Sequence, residues 1–230
     1  MKELRLSKRL TAAADFCRKG SVICDVGTDH AYLPIYLCQK EIARGGIVSD
    51  INKGPIERAE KNIKEAGMKK RLIPILCDGL TRLEEYSPED IFILGMGGEL
   101  IARIISDAPF VKNEGVRLIL QPMTHPELLR KYLFDNGFEI IDEVLVKEDK
   151  IYQIILAEYS GVIGAYNQTE LMLGKINIEK KDSLLFELLE HIKKVYLKRI
   201  EGKASANADA TEEKNLLLEI EKLYEDNGNL

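Results

Sequence analysis

A chain of 230 residues with 45% hydrophobic residues is long enough for one substantial core and a small additional unit. Its formal net charge of −5 excludes a protein coated in basic surface, so any contact with nucleic acid must come from local patches. The four cysteines lie far apart and no apolar run approaches the roughly 20 residues of a membrane span, so we expect free thiols, no zinc site and a cytoplasmic protein without membrane contact.

The amino-terminal segment, residues 2–19, has the apolar spacing of an amphipathic helix. Apolar side chains can face inward while Arg5, Lys8 and Arg9 share the outer face. Basic residues outnumber acidic ones in this segment, which makes this end of the chain locally positive. We expect Arg5, Lys8 and Arg9 to contact RNA phosphates, with an ordinary solvated helix face as the alternative.

Residues 22–34 form the stretch around which the chain is organised. A short apolar run ends at an acidic residue and a glycine, and helical spacing follows over residues 31–39, which predicts a strand, a tight turn and a helix. Such a unit brings a nucleotide-like ligand against backbone N–H groups. Only Gly27 matches the glycines of a dinucleotide pattern, and Asp25 and Asp29 would repel a pyrophosphate. S-adenosylmethionine, which carries an ammonium and a sulfonium and no phosphate, fits this turn; a strand that simply ends in a polar turn is the alternative.

Two further strands are predicted over residues 46–51 and 72–76, separated by a helix over residues 55–66. The first of these strands ends at Asp50, which is placed to accept hydrogen bonds from the ribose hydroxyls of a bound nucleoside. The second leads to Asp78, whose carboxylate can accept from the exocyclic amine of adenine. An ordinary turn residue before glycine is the alternative for Asp78.

A fourth strand over residues 90–94 leads to the run Gly-Met-Gly-Gly at 95–98 and a helix over 99–107. Three glycines in four residues let another molecule approach the backbone closely, and the helix directs its first N–H groups to that space. A flexible strand-to-helix turn is the alternative, although one glycine would suffice for it. A fifth strand over 116–120 and a helix over 126–136 follow.

The end of this region departs from a regular β-α repeat. Residues 138–146 and 151–159 are two strand-like runs joined by a short charged turn, which predicts an antiparallel hairpin. Five β-α units and this hairpin give an α/β, Rossmann-like seven-stranded sheet with a reversed strand. A nicotinamide-binding domain would continue with another β-α unit, so the hairpin favours a methyltransferase-type domain over residues 1–160.

Residues 161–230 have no strand signal, and they are predicted to form a separate helical domain. Helical apolar spacing over 183–200 resumes over 212–224 after a polar break, which predicts an antiparallel, coiled-coil-like hairpin. Lys194 and Lys198 belong to a basic cluster on the first of these helices and are candidate contacts to RNA phosphates. A solvated helix face is the alternative.

Three motifs carry a resemblance to a known family: residues 25–34, the glycine run at 95–98, and Leu-Gln-Pro-Met at 120–123. In this order they resemble the bacterial tRNA (adenine-22, N1) methyltransferase family, the TrmK type, over essentially the whole chain. The first motif has Asp29 and Ala31 where methyltransferases commonly have glycine, but it agrees with this narrower family. The resemblance implies a class I S-adenosylmethionine-dependent fold, methylation of N1 of adenosine 22 in tRNA, and a carboxyl-terminal coiled-coil-like domain.

The chemistry of that reaction selects candidate catalytic residues. Adenine N1 must be exposed or flipped to react, and the methylated base is cationic, so a nearby carboxylate would stabilise the developing charge. Asp29 is the candidate, with binding of the methionine moiety as its competing role. His30 and Tyr32 lie just beyond the turn and can contact or stack on the adenine, with core packing as the alternative for Tyr32. The resemblance implies that Asn62 also holds the target adenine, with helix-surface polarity as the alternative.

The residues predicted to hold S-adenosylmethionine share positions at or just after the ends of strands. They are Asp25, Gly27, Thr28, Asp29, Asp50, Ile51, Asp78, Gly79, Gly95, Met96 and Gly97. Adenine N6 methyltransferases typically carry an Asp/Asn-Pro-Pro-aromatic motif where this chain has its glycine run, so N6 chemistry is disfavoured. A non-catalytic RNA-binding module that keeps S-adenosylmethionine as a structural ligand and a small-molecule methyltransferase are the alternative functions. We expect a monomer that needs no metal.

Overall fold

The computed structural model describes residues 4–227, and the side chains of residues 4–223. The chain divides into two compact units, Met1–Gly164 and Ala165–Leu230. Our assignment of residues 1–160 and 161–230 to separate domains stays a prediction. Residues 2 and 3 of the predicted first helix lie outside the described part.

The first unit contains a seven-stranded sheet in the order β3-β2-β1-β4-β5-β7-β6. Strands β1 to β5 pair in parallel, and β7 runs antiparallel between β5 and the edge strand β6. The predicted Rossmann-like sheet with a reversed strand is therefore confirmed. The strands are β1 Val22–Val26, β2 Gly45–Asp50, β3 Leu72–Leu76, β4 Asp90–Gly97, β5 Arg117–Thr124, β6 Phe138–Lys147 and β7 Ile151–Tyr159.

Hydrophobic cores cover both faces of this sheet. Along β4, Ile91 and Ile93 belong to one core cluster and Phe92 to the other, because successive side chains of a strand point to opposite faces. Such strands are apolar throughout, which is why they were recognisable as continuous runs. The helices of the unit are α1 Lys8–Asp15, α2 Tyr32–Gln39, α3 Lys53–Glu65, α4 Gly98–Ser106 and α5 Pro126–Asp135, with short 3-10 helices at Leu83–Tyr86 and Pro109–Lys112.

The first helix is shorter than predicted. It begins at Lys8, because Ser7 is extended and its hydroxyl accepts a hydrogen bond from the Leu10 N–H at 3.4 Å, which caps the helix. It ends at Asp15, four residues before the predicted end. The expectation of a helix over residues 2–19 is therefore wrong for residues 4–7 and 16–19.

Strands β4 and β5 continue beyond their predicted ends. Met96 pairs with Pro122 and Gly97 with Thr124, across register shifts that follow Leu94. Most of the glycine run at 95–98 is therefore irregular strand and not a loop, and α4 starts directly from it at Gly98. Bulges of this kind bend a strand and redirect its side chains.

The second unit is helical, with α6 Gln168–Leu173, α7 Lys175–Glu179, α8 Leu185–Ser205 and α9 Thr211–Asn227. Lys193 pairs with Glu221 at 3.1 Å and Lys203 with Glu213 at 2.6 Å, so α8 and α9 run antiparallel as predicted. The two short helices were not predicted, although a capping box formed by Asn167 and Glu170 marks the start of α6. Coiled-coil packing of α8 on α9 stays a prediction. Over the described residues, we find no helix both long enough and apolar enough to cross a bilayer.

Candidate functional site

Two neighbouring cavities lie at the carboxyl ends of the parallel strands. The first, which we call the strand cavity, has a volume of about 350 Å³ and is lined by residues at or just after the carboxyl ends of β1 to β4 and by α4. The second, the turn cavity, has a volume of about 270 Å³ and is lined by the turn after β1 and the start of α1. Gly27, Leu94 and Gly95 line both cavities. In open α/β sheets, ligands bind at this edge.

The turn after β1 depends on Gly27. Its φ of +75° lies in the left-handed region, which favours glycine, and an added Cβ would lie 2.1 Å from Cε of Met96. The Gly27 and Thr28 N–H groups both donate to the Ser49 carbonyl, at 2.8 and 3.0 Å. These two donors thus tie the turn to β2. The expectation that the turn presents its backbone N–H groups to a ligand is wrong for this pair.

Asp25 places a buried carboxyl group at the turn cavity. Burial raises the pKa of Asp25 from 3.8 to about 6, and a hydrogen bond from the Thr28 hydroxyl opposes this shift. The Thr28 hydroxyl also accepts from the Ala31 N–H at 3.1 Å, which fixes the start of α2. Ionising a buried carboxyl group is unfavourable, and a cationic ligand group beside it would offset this cost.

The raised pKa predicts a pH dependence of ligand binding. The Asp25 carboxyl takes up a proton as pH falls through about 6, so the affinity for a ligand with an ammonium group should fall with it. We expect S-adenosylhomocysteine to bind roughly tenfold more weakly at pH 5 than at pH 7.5, as calorimetric titration can measure. The matched variant Asp25→Asn should have a flat profile over this range. A pH dependence that persists in the variant would contradict the assignment of this titration to Asp25.

The strand cavity combines carboxylate groups with apolar side chains. Asp50 lies at the end of β2, and its Oδ1 accepts from the Asn52 N–H at 2.7 Å, which holds the carboxylate in place. The exposed carboxylate of Asp78 lines the cavity from the end of β3. Leu100 and Ile104 of α4 line it with apolar surface. Ile51, Gly79 and Met96 are the other predicted residues that the structure brings to this cavity.

Asp29 is an exposed carboxylate that is already paired. The Arg58 guanidinium on α3 donates to its Oδ1 through Nε, at 3.1 Å, and through Nη2, and His30 Nε2 lies 3.2 Å from its Oδ2. The hydrogen bond from Arg58 holds the pKa of Asp29 below its usual value. Asp29 is thus ionised over the physiological pH range. Arg58 gave no signal in the sequence, because the pairing depends on how α3 packs beside the turn.

His30 and Tyr32 form an aromatic pair at the turn cavity. Their rings stack in parallel, 5.0 Å apart with an interplanar angle of 9°. Tyr32 is 43% exposed, so core packing does not explain it. Asn62 is placed differently: its side-chain amide donates to the His30 carbonyl at 2.9 Å, and it lines a separate cavity of about 220 Å³ with Tyr32. The structure therefore does not bring Asn62 into the turn cavity, because its donor group supports the loop instead.

The three glycines at 95, 97 and 98 have different roles. Gly95 has a φ of +79° and lines both cavities, and its role as a ligand contact stays a prediction. An added Cβ on Gly97 would lie 3.2 Å from Thr124 Oγ1, and one on Gly98 would lie 2.2 Å from the His125 carbonyl oxygen. These two glycines admit the chain's own loop before α5. Among the described residues that line the two cavities, Gly97 is absent, contrary to its prediction as a ligand contact.

We expect Gly98→Ala to destabilise the first unit strongly. The added methyl group would meet backbone at 2.2 Å, which cannot be relieved by rotating a side chain. A loss of about 2–4 kcal/mol in the free energy of unfolding should follow, measurable by urea denaturation. Gly54→Ala is the matched control, because its added Cβ would lie 3.5 Å from the end of the Arg58 side chain, an ordinary contact. Equal stability of the two variants would contradict the close packing at Gly98.

Arg9 and Arg103 are cationic residues at the cavities that the sequence did not assign there. Arg103 of α4 lines the strand cavity, and its spacing from Leu100 is the only signal that could have indicated it. Arg9 lines the turn cavity and is half-buried, so the prediction that it shares an outer face with Arg5 and Lys8 is wrong. Arg5 and Lys8 are exposed, as are Lys194 and Lys198 on α8.

Comparisons with known proteins agree with this arrangement. Residues 6–155 match the family model described as a methyltransferase domain. The tRNA (adenine(22)-N(1))-methyltransferase of Bacillus subtilis is 33% identical over 229 residues, which cover 96% of this chain and 94% of that protein. A Streptococcus pneumoniae protein solved with S-adenosyl-L-methionine is 31% identical with a TM-score of 0.77, covering 97% of this chain and 99% of that one. M. capricolum TrmK, solved with S-adenosyl-homocysteine, is 25% identical with a TM-score of 0.80, covering 96% and 98%.

Proposed function

The chain belongs to the family of the tRNA (adenine(22)-N(1))-methyltransferases, and we propose that it transfers the methyl group of S-adenosylmethionine to N1 of adenosine 22 in tRNA. The observation that carries the proposal is the pair of cavities that share Gly27, Leu94 and Gly95 at the strand ends. One has the lining expected for an adenosine and the other has a buried carboxylate beside an aromatic pair. Two relatives have been solved with S-adenosylmethionine or its product.

In this proposal the strand cavity holds the adenosine part of the cofactor. Asp50, fixed by the Asn52 N–H, accepts from the ribose hydroxyls, and Asp78 accepts from the adenine amine. Ile51, Leu100 and Ile104 supply apolar contact, while Gly79, Gly95 and Met96 shape the walls. Gly27, at the boundary with the turn cavity, leaves room for the chain of atoms that joins the two ends of the cofactor.

The amino-acid end of the cofactor then lies in the turn cavity. Asp25 accepts from the ammonium group, and the Thr28 hydroxyl orients this carboxylate. Bound S-adenosylmethionine supplies an electrophilic methyl group on a sulfonium. An ionised Asp25 is favoured when the ammonium is present, because an opposite charge lowers a raised carboxyl pKa.

The target adenine stacks on the pair formed by His30 and Tyr32. Aromatic side chains commonly receive unstacked bases in RNA recognition, and Tyr32 is exposed enough to do so. Asn62 contributes by holding the His30 carbonyl, at 2.9 Å, and so positions the platform. This positioning role differs from the direct contact to adenine that the family resemblance implies, which stays a prediction.

The chemistry requires alignment and charge stabilisation. Adenine N1 carries a lone pair, so the transfer is an in-line displacement in which no proton needs to leave the base. The base becomes cationic as the sulfonium becomes a neutral thioether. Asp29, ionised because its pKa is lowered, is the carboxylate that stabilises this developing charge. Binding of the methionine moiety remains its competing role.

Recognition of the tRNA body involves exposed basic residues. We propose Arg5 and Lys8 near the start of α1, and Lys194 and Lys198 on α8, as phosphate contacts. The protein acts as a monomer in the cytoplasm in this proposal. Contacts to phosphates add affinity without sequence selection, so adenosine 22 must be selected by the turn cavity and the fold of the tRNA.

The test is incubation with radiolabelled S-adenosylmethionine and an unmodified tRNA transcript that contains adenosine 22, beside a copy with guanosine at that position. We expect label in the first transcript alone, recovered as 1-methyladenosine after digestion. Label at another position would overturn the substrate assignment. Absence of label in both transcripts, despite cofactor binding, would favour a non-catalytic RNA-binding module, whereas label on a small acceptor would favour a small-molecule methyltransferase.

A further inference from the structure

We propose that Arg9 binds the carboxylate of the amino-acid end of S-adenosylmethionine in the turn cavity, an inference that rests on the cofactor use proposed above. Arg9 comes from α1, which precedes the Rossmann-like sheet, and no motif of the cofactor turn includes it. It lines the cavity with Asp25. One end of the cofactor would thus be held by two side chains of opposite charge.

The position of Arg9 is fixed by the surrounding protein. Its backbone N–H donates to Glu148 Oε1 at 2.8 Å, and its guanidinium lies 5.2 Å from the centre of the Tyr152 ring. Nη1 donates to the side-chain oxygen of Gln121, which is fully buried. The side chain is therefore oriented in advance, which reduces the entropy cost of binding a ligand.

The hydrogen-bonding capacity of Arg9 is only partly used. Nε is buried and has no hydrogen-bond partner among the described residues. A buried donor without a partner is costly, and in native proteins it often marks a place for a ligand or water. Nη1 also lies 3.5 Å from the position of an added Cβ on Gly95, which brings the guanidinium to the wall shared by both cavities.

Charge decides which part of the reactants Arg9 can hold. The methylated adenine is cationic, so a guanidinium beside N1 would raise the energy of the transition state. The amino-acid end of the cofactor has an ammonium and a carboxylate, and Asp25 suits the ammonium. Guanidinium groups bind carboxylates through strong, charge-assisted hydrogen bonds. An RNA phosphate is the alternative anion for Arg9. It is disfavoured because the RNA backbone would have to reach a half-buried side chain.

The experiment compares S-adenosylmethionine with decarboxylated S-adenosylmethionine, which lacks only the carboxylate, by titration calorimetry on the full chain. We expect Arg9→Gln to weaken the first ligand about 10- to 100-fold and the second less than about threefold. Arg9→Lys keeps the charge and should restore part of the lost affinity. Lys19→Gln, at an exposed position that lines neither cavity, is the matched control and should bind both ligands as the unmodified protein does.

An equal loss for both ligands would overturn the proposal, because it would mean that Arg9 only supports the fold through Gln121 and Tyr152. Unchanged affinity for both ligands with weaker tRNA binding would also overturn it and assign Arg9 to a phosphate. If Arg9→Gln weakened binding of S-adenosylmethionine alone, and the unmodified protein methylated no tRNA, the proposal for Arg9 would be supported and the proposed function contradicted. Failure of the two hypotheses is thus distinguishable.

Discussion

Asp25→Asn should weaken binding of S-adenosylmethionine by roughly a hundredfold while making the ligand-free protein more stable at pH 8. The first effect follows from loss of the buried carboxylate that accepts from the ammonium group, an interaction of a charged pair at a desolvated site. The second follows from the cost of keeping that charge out of water. A substitution that stabilises the fold and removes ligand binding identifies a residue selected for function.

The sign of the stability effect comes from the raised pKa. Because the pKa of Asp25 rises from 3.8 to about 6 on folding, the folded state is favoured most below 3.8 and loses stability as pH rises through about 6. A pKa raised from 3.8 to about 6 means that the ionised carboxylate lowers the free energy of unfolding by about 3 kcal/mol. Asn should recover part of this free energy because it carries no charge. Asn can also still accept the hydrogen bond from the Thr28 hydroxyl.

Urea denaturation of the ligand-free proteins at pH 8 measures the stability, and titration calorimetry measures the binding. Asp50→Asn is the comparison: it should weaken binding without stabilising the fold, because Asp50 is half-buried and its Oδ1 already accepts from the Asn52 N–H. If Asp25→Asn destabilised the ligand-free protein instead, the carboxylate would be a structural hydrogen-bond acceptor and not a ligand group held at a cost.

The ends of β1, β2 and β3 could be predicted because each is a short, largely apolar run that ends near an acid or a glycine, whereas β4 and β5 continue beyond their predicted ends. An acid or glycine that ends such a run must lie at the ligand-binding edge of a parallel sheet. Gly27, Asp50 and Asp78 were located by this argument alone, and the structure brings all three to the strand cavity.

Residues misjudged from the sequence depend on contacts between distant segments. A glycine run indicates that another group lies close to the backbone, but it does not identify that group. Gly95 borders a cavity, whereas Gly98 lies against the His125 carbonyl. Arg9 was assigned to an outer face because it is charged, but its guanidinium donates to the buried Gln121 and lines the turn cavity. Arg58, the partner of Asp29, lies 29 residues further along the chain, on α3. Local periodicity carries no information on any of these contacts.

Asp29→Asn should reduce kcat for tRNA methylation by about a hundredfold and leave the affinity for S-adenosylhomocysteine within about threefold. The carboxylate stabilises a base that acquires its positive charge only as the methyl group is transferred, so its loss affects the transition state more than cofactor binding. The pairing with Arg58 does not prevent this role, since Asp29 is exposed and ionised.

Single-turnover methylation of the tRNA transcript, with cofactor binding measured separately, distinguishes the two roles of Asp29. Asp135→Asn is a matched control, because Asp135 is an exposed carboxylate paired with a cation, Lys131, on α5 and lines neither cavity. It should have unchanged kcat. Asp29→Asn could instead lose much of its affinity for S-adenosylhomocysteine and keep its rate at saturating cofactor. That result would assign Asp29 to the methionine moiety. The charge of the methylated base would then have to be stabilised by another group at the turn cavity.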